Sequence, residues 1–279
     1  ALGLVCWMFD RQLDYIENFI KTKFAKNATV VQANLKVLHD GYNYGMNMQH
    51  ETPRYIVHPA TIEKGTYRNI NGNKATAWGF IAAAEKAGLE LFCGSYPITP
   101  ATDILQALAE RKDLGVKTFQ AEDEIAGICT AIGAAFAGDL AITTTSGPGF
   151  ALKSEALGLA VMAELPLVVV NVQRGGPSTG LPTKTEQSDL LQALYGRNGE
   201  SPVVVVAAST PSDCFYYAYI SAKIALERMV PVVLLTDGFL GNGSEPWRVP
   251  SMDELPPITP RIAKDASSFK AYKRDENIL

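Results

Sequence analysis

The chain has 279 residues, of which 47% are hydrophobic and 19% charged, with a formal net charge of −4. This is an ordinary globular composition, and the length suits one large domain with additional material. The charge and the absence of a Lys/Arg run exclude an electrostatic nucleic-acid binder, and no apolar run approaches the ~20 residues of a membrane span. The four cysteines are scattered, so we expect a cytoplasmic protein with no zinc site or iron–sulfur cluster on this chain.

The first 45 residues predict two amphipathic helices. One covers 10–26, and the second follows Asn27, a good N-cap residue, and ends near Gly41 or Gly45. Two such helices cannot bury a core alone, so we expect 1–45 to be the end of a domain that begins earlier. The polar stretch 46–71 is predicted to be an interdomain linker.

From residue 72 to 245, apolar helices alternate with short β-rich runs. The predicted helices are 76–87, 101–110, 125–137, 150–163 and 211–227, and the predicted strands are 89–93, 117–120, 140–145, 165–172, 202–207 and 230–235. This alternation predicts an α/β domain, a parallel sheet with helices on both faces, whose ligands bind beyond the carboxyl ends of the strands. The Pro-rich stretch after 246 predicts a second linker, and we expect the residues up to 279 to be the start of a further, truncated domain.

Three carboxylates, Glu122, Asp123 and Glu124, precede the predicted helix 125–137, which is apolar on every side and therefore expected to be buried all round. An acid at a helix entrance usually caps free N–H groups and complements the helix dipole. One cap needs one acid, however, and a carboxylate beside a dry interior is also where proton chemistry can be tuned. All three histidines precede residue 60, so acid–base chemistry in the α/β domain must use carboxylates, Lys, Tyr or a cofactor.

Two loops carry further candidates whose interpretation the spacing leaves open. Thr99 lies between two prolines, which favours a stiff turn over a preorganised hydroxyl. Arg174 ends a predicted strand, where a lone arginine usually forms a surface salt bridge. In a cleft that must hold a carboxylate, however, an arginine binds it in a bidentate manner.

Four motifs occur in an order that points to a family: 96–100 (YPITP), 122–124 (EDE), 145–150 (TSGPGF) and 173–183 (QRGGPSTGLPT). Over roughly 70–250 the chain resembles the α subunit of 2-oxoacid:ferredoxin oxidoreductases, most closely the 2-oxoglutarate type. Residues 1–45 resemble the end of the γ-type domain that is fused ahead of the α domain in some members.

The resemblance implies the pyrimidine-binding domain of thiamine diphosphate enzymes. It places the cofactor carboxylate, which hydrogen-bonds a pyrimidine nitrogen, at Glu124 rather than Glu122, because the family sets it a fixed distance before a Gly-Ala pair, here Gly133-Ala134. It places Thr99 near the 2-oxo group of the substrate and Arg174 at its carboxylate. Further expected contacts are Tyr96, Pro97, Ile98, Ser146 and Gly147 for the cofactor, and Thr183 and Lys184 for the distal carboxylate.

The chain departs from thiamine enzymes in one respect. Their diphosphate-binding pattern, Gly-Asp-Gly followed some ~25 residues later by Asn, is absent from this chain. Asp237-Gly238 followed by Asn242 resembles it, but the spacing between the two parts is far too short. We therefore expect magnesium and the diphosphate to lie on a partner β subunit, with the active site at the interface and the iron–sulfur cluster also on a partner chain.

The resemblance implies oxidative decarboxylation of a 2-oxoacid, foremost 2-oxoglutarate, to its acyl-CoA, with electrons passed to ferredoxin. One alternative is a non-catalytic nucleotide- or phosphate-binding module with its anion at 147–149, although no G-x-G-x-x-G or G-x-x-x-x-G-K-[ST] motif supports it. A scaffold subunit that only docks its partner is another, which the presence of Glu124, Thr99 and Arg174 disfavours.

Overall fold

The computed structural model describes residues 1–48 and 53–263, together with 265, 267, 270, 273, 274 and 276. The chain divides into two compact units, Ala1–Lys64 and Gly65–Leu279, called the N-terminal unit and the α/β unit below. Parts of both predicted linkers, 49–52 and several positions after 263, lie outside the described residues. None of the helices that the structure describes is long and apolar enough to cross a membrane.

The described part of the N-terminal unit contains three helices: α1 (Leu2–Met8), α2 (Asp14–Lys23) and α3 (Ala28–Asn47). The Asn27 side chain accepts a hydrogen bond from Val30 N at 3.2 Å, as its N-cap prediction requires. Helix α3 ends at Asn47, two residues beyond Gly45, the later of the two predicted ends, and α1 was not predicted. Both glycines lie at the contact with α1, where a Cβ on Gly45 would be 2.7 Å from the Trp7 ring. They therefore permit close helix packing rather than ending the helix.

The α/β unit is built on a six-stranded sheet of parallel strands in the order β3-β2-β4-β5-β7-β6. The strands of this sheet are β2 (Leu91–Ser95), β3 (Val116–Gln120), β4 (Leu140–Thr145), β5 (Leu167–Gln173), β6 (Val204–Ala207) and β7 (Val232–Asp237). All six were predicted, within about two residues at each end. The predicted α/β class is thus confirmed.

The helices of this unit cover both faces of the sheet. They are α4 (Gly72–Ala87), α5 (Thr102–Ala109), α6 (Glu124–Ala137), α7 (Gly147–Leu152), α8 (Ser154–Met162), α9 (Leu190–Tyr195), α10 (Asp213–Arg228) and α11 (Gly238–Asn242). Alternate residues of β5 belong to two cores: Val168 and Val170 pack with α4, α5 and α10, and Val169 packs with α6 and α8. The continuous apolar strands of the sequence are explained by this two-sided burial.

Helix α6 is not buried all round, so that prediction is wrong for this chain. Ile128 and Ala131 face the core, whereas Phe136 is 82% exposed, Ile125 is half exposed and Cys129 is exposed. Cys129 is therefore not the core residue that its apolar surroundings predict. The sequence around α6 is apolar on two faces, and only one of them packs within the chain.

An antiparallel pair outside the main sheet changes the expected boundaries of the domain. Strands β1 (Tyr67–Asn71) and β8 (Ser244–Arg248) pair within the α/β unit, although their residues were assigned mainly to the two linkers. Beyond β8, Leu255 and Ile258 are buried in the core with α10, and Arg261 N donates to Leu226 O at 3.0 Å. The stretch 246–260 is therefore packed structure rather than a free linker.

Candidate active site

A cleft of about 680 Å³ opens at the edge of the sheet where the strands end at their carboxyl termini. This is the expected position for a ligand in an open parallel sheet. Its lining comes from the segments that follow β2, β3, β4 and β5, and consists of Ile98, Glu124, Gly147, Pro148, Ala151, Leu152, Arg174, Gly176, Pro177, Ser178, Thr179, Glu186, Ser188, Asp189 and Gln192.

The three carboxylates before α6 have different positions. Asp123 is the N-cap residue, since its Oδ1 accepts a hydrogen bond from Ala126 N at 2.8 Å. Glu124 is the first residue of the helix and lines the cleft. Glu122 is exposed and is not part of the lining. The capping role and the cleft-facing role, which the sequence left open, thus belong to neighbouring residues.

The hydroxyl groups of Tyr96 and Thr145 lie next to the Glu124 side chain, around Gly149. The two hydroxyl groups are 2.8 Å apart. Burial raises the pKa of Tyr96 well above its ordinary value; the hydrogen bond with Thr145 opposes this rise, and the negative charge of Glu124 adds to it. The tyrosine therefore stays a neutral hydrogen-bond donor. A Cβ at Gly149 would clash with both hydroxyls and lie 2.7 Å from Glu124 Cγ, so this close packing requires glycine there.

Lys153 was not among the predicted site residues. It lies between α7 and α8, where the predicted helix 150–163 is interrupted, and its side chain is fully buried. Its Nζ donates to Glu124 O at 2.6 Å and to Thr143 Oγ1 at 3.2 Å. Burial lowers the pKa of Lys153 to about 8, against the opposing charge of Glu124. The available signal was that Lys153 is the single basic residue of the mainly apolar stretch 147–162.

Arg174 lies in the cleft wall and is only 7% exposed. Its Nη1 donates to Thr99 O and its Nη2 to Thr179 O, both at 2.7 Å, and within the described residues it forms no salt bridge. The surface salt bridge considered from the sequence is therefore wrong. Of the five guanidinium N–H donors, three remain for a ligand, including a buried Nε without a partner among the described atoms.

The remaining predicted residues are divided by the structure. Ile98 and Gly147 line the cleft, and Ser146 is buried behind it, with an Oγ that has no partner among the described atoms. The residues that do not line it are Pro97, Thr99, Thr183 and Lys184, all of which are exposed. Thr99 contributes its carbonyl oxygen, held by Arg174, rather than its hydroxyl.

An acidic side chain occupies the position that the phosphate-binding alternative needs. Asp189, which accepts a hydrogen bond from Asn171 Nδ2 at 2.9 Å, lies so close to Gly147 that a Cβ there would be 2.8 Å from Asp189 Oδ2. A carboxylate at the start of a six-residue helix repels an anion. The sequence 147–149 is therefore a poor phosphate site.

The sheet, the cleft and the buried surroundings of Glu124 define a cofactor-binding α/β domain. Residues 82–279 match the family described as pyruvate flavodoxin/ferredoxin oxidoreductase, thiamine diphosphate-binding, and the chain belongs to this family.

Curated relatives are similar over much of the chain. The 2-oxoglutarate oxidoreductase subunit KorA of Mycobacterium tuberculosis is 56% identical over 279 residues, which are 100% of this chain and 43% of the relative. The 2-oxoglutarate synthase subunit KorA of Archaeoglobus fulgidus is 43% identical over 187 residues, 67% of this chain and 53% of the relative. The chain thus spans about half the length of these relatives.

A solved structure shares the architecture. The 2-oxoglutarate:ferredoxin oxidoreductase from Magnetococcus marinus, with 2-oxoglutarate, coenzyme A and succinyl-CoA bound, superposes with a TM-score of 0.85 at 36% identity. The match covers 100% of this chain and 48% of that one. The family resemblance inferred from the four motifs is confirmed.

The residues of the cleft suit the pyrimidine ring of thiamine diphosphate. A flat heteroaromatic ring needs apolar contacts and a carboxylate at one nitrogen. The apolar contacts come from Pro148, Ala151 and Leu152, and the carboxylate beside them is that of Glu124.

Proposed function

We propose that this chain supplies the pyrimidine-binding half of the active site of a 2-oxoacid:ferredoxin oxidoreductase. The reaction is oxidative decarboxylation of a 2-oxoacid, foremost 2-oxoglutarate, to its acyl-CoA, with electrons passed to ferredoxin. The observation that carries the proposal is the Glu124 carboxylate, held in a cleft at the carboxyl edge of the sheet. Family membership and the names of the relatives support it.

Glu124 exchanges a proton with a pyrimidine nitrogen of the cofactor. When bound, thiamine diphosphate supplies the nucleophilic carbon that adds to the 2-oxo carbon and holds the electrons released with CO₂. The neutral Tyr96 hydroxyl lies beside this carboxylate, and Pro148, Ala151 and Leu152 line the cleft near it. A carboxylate that shares a proton with the cofactor ring needs no histidine.

Arg174 holds the carboxylate next to the 2-oxo group. It lines the cleft, and its remaining N–H donors suit a planar anion. Thr99, whose carbonyl oxygen accepts from Arg174, stays the candidate near the 2-oxo oxygen. For the distal carboxylate of 2-oxoglutarate, the cleft-lining Ser178 and Thr179 are better placed than Thr183 and Lys184.

A partner subunit completes the site. The diphosphate pattern is absent from this sequence, so we assign the diphosphate, magnesium and an iron–sulfur cluster to a β subunit. The exposed apolar side of α6, formed by Ile125, Cys129 and Phe136, offers a surface for that chain. Free thiols at all four cysteines suit the reducing cytoplasm that we propose as its location.

The test is co-expression with the β partner, followed by a screen of 2-oxoacids with CoA and a viologen acceptor. We expect turnover that requires added thiamine diphosphate and is fastest with 2-oxoglutarate. Glu124→Gln in the same complex should be inactive. Turnover that is indifferent to the cofactor, or an active Glu124→Gln variant, would contradict the proposal.

A further inference from the structure

Lys153 is a fully buried lysine that the proposed chemistry does not use. Lysine is almost never fully buried unless it is paired. Here the ammonium contacts the Glu124 backbone carbonyl at 2.6 Å and Thr143 Oγ1 at 3.2 Å, and lies 5.1 Å from the centroid of the Tyr96 ring. Lys153 does not line the cleft, so a substrate in the cleft would not touch it.

We propose that Lys153 is a positioning residue for Glu124, whose backbone it holds and whose carboxylate it provides with a buried counter-charge. The proposal rests on the cofactor role proposed for Glu124 and deepens it. The residue would act through Glu124 rather than on the substrate.

The geometry fixes Glu124 from two sides. Lys153 Nζ donates to the carbonyl oxygen of Glu124, the first residue of α6, and the Tyr96 hydroxyl lies beside the side chain of the same residue. Lys153 is in turn held by β4 through Thr143 and lies over the Tyr96 ring. Since Lys153 occupies the break between α7 and α8, its ammonium adds a polar link between the 147–162 segment and the start of α6.

The charges facing Lys153 make its influence depend on pH. Glu124, Asp123 and Cys129 of α6 and Cys93 of β2 act on it electrostatically, and Tyr96 lies beside it. Burial raises the pKa of Cys93 to about 12 and also raises that of Tyr96, so both stay neutral between pH 7 and 9.5. Burial lowers the pKa of Lys153 to about 8. Its ammonium is therefore present at pH 7 and lost by pH 9.5.

The test is the affinity of the assembled complex for thiamine diphosphate, measured by calorimetry at pH 7 and 9.5. In the wild type we expect about tenfold weaker binding at pH 9.5, because Glu124 then loses the charged contact that the Lys153 ammonium makes with it. Lys153→Met keeps the length but not the charge. It should bind about tenfold more weakly at pH 7 and equally at both pH values. Lys112→Met, which removes an exposed lysine outside the cleft, should keep the wild-type affinity and pH dependence.

Two outcomes would overturn the inference. One is a Lys153→Met complex with wild-type affinity and pH dependence. The other is a wild-type affinity that does not change between pH 7 and 9.5, which decides the matter even if Lys153→Met does not assemble. Glu124→Gln separates the two proposals. An active Glu124→Gln complex refutes the cofactor role itself. A Lys153→Met complex with wild-type affinity and pH dependence refutes only the positioning role.

Discussion

Glu124 and Glu122 are two residues apart, and their surroundings give them different chemistry. Glu124 lines the cleft against apolar side chains and is contacted through its backbone by a buried ammonium. Glu122 is exposed to solvent. Two carboxylates within one turn of chain thus differ in solvent exposure, and only Glu124 lines the cleft.

Glu124→Gln is therefore expected to lower kcat at least a hundredfold, because the amide cannot accept the proton that the carboxylate shares, and general acid–base groups contribute about 10²–10⁴ in rate. Glu122→Gln is the matched control and should change kcat by less than about twofold, as an exposed position does. Viologen reduction by the co-purified complex with 2-oxoglutarate and CoA measures both. A large loss of kcat in Glu122→Gln with a small one in Glu124→Gln would show that Glu122 is the carboxylate that binds the cofactor.

Arg174→Lys should lower kcat/KM for 2-oxoglutarate and for a shorter 2-oxoacid alike. Lysine keeps the charge but loses the planar fork, and a lost charged hydrogen bond costs roughly 1.5–3 kcal/mol, about tenfold to a hundredfold in rate. Steady-state kinetics on both substrates measure this. If only 2-oxoglutarate is affected, Arg174 contacts the distal carboxylate instead.

A control is needed because Arg174 also holds the 175–186 loop. Glu186 holds the same loop by accepting from Gly176 N at 2.8 Å. Glu186→Ala should therefore loosen the loop without removing the fork. Equal losses in the two variants would assign the effect to the loop rather than to substrate binding.

At the scale of the element, α6 combines a cap, a carboxylate that lines the cleft and two unlike faces. Asp123 caps its first turn, Ile128 and Ala131 pack into the core, and Phe136 points away from it. Gly94 lies where a Cβ would be 2.6 Å from Gly127 O, so β2 and α6 approach closely. The carboxylate is thus carried by a helix that the sheet holds tightly.

Asp123→Ala should destabilise the α/β unit by about 1 kcal/mol, within the range of about 0.5–2 kcal/mol measured for N-cap removal. The reason is that Ala126 N loses its acceptor at 2.8 Å. The measurement is the midpoint of thermal unfolding of the complex. Glu122→Ala, which removes an acid without removing the cap, should leave the midpoint unchanged, and equal shifts would show that charge rather than capping matters.

At the scale of the molecule, the segment after β8 belongs to the core of the α/β unit. Ile258→Ala should cost about 2–5 kcal/mol, as buried Ile→Ala changes do, because Ile258 is buried with α10. Val249→Ala is the control, since Val249 is exposed and should cost little. Thermal unfolding of both variants measures the difference. Equal midpoints would mean that the segment contributes nothing to the fold.

The exposed side of α6 should matter for assembly. Phe136→Asp places a charge on an 82% exposed apolar position, so it should spare the fold and weaken co-purification with the β partner. Tyr216→Asp, at a partly exposed position on α10, is the matched control. Gel filtration of both co-expressed pairs measures assembly. A Phe136→Asp pair as stable as the wild type would place the partner elsewhere.

The local sequence determined the six strands of the main sheet, most of the longer helices and their order. Runs such as 165–172 are apolar throughout because a parallel strand is covered on both faces, and helix caps such as Asn27 act within four residues. The acidic residues before α6 could likewise be found in the sequence, because a helix cap is adjacent to its helix. These features depend on neighbours in the chain, so pattern and propensity suffice to find them.

Only the tertiary structure decided which surfaces are covered and which charges meet. Lys153 and Glu124 are 29 residues apart, and Arg174 and Thr99 are 75 apart. The pairing of β1 with β8 and the exposed face of α6 likewise depend on elements distant in sequence. An apolar helix has the same sequence pattern whether its second face meets its own core or remains free. Burial is a property of the packed fold, and it is burial that gives Lys153 and Tyr96 their altered pKa values beside Glu124.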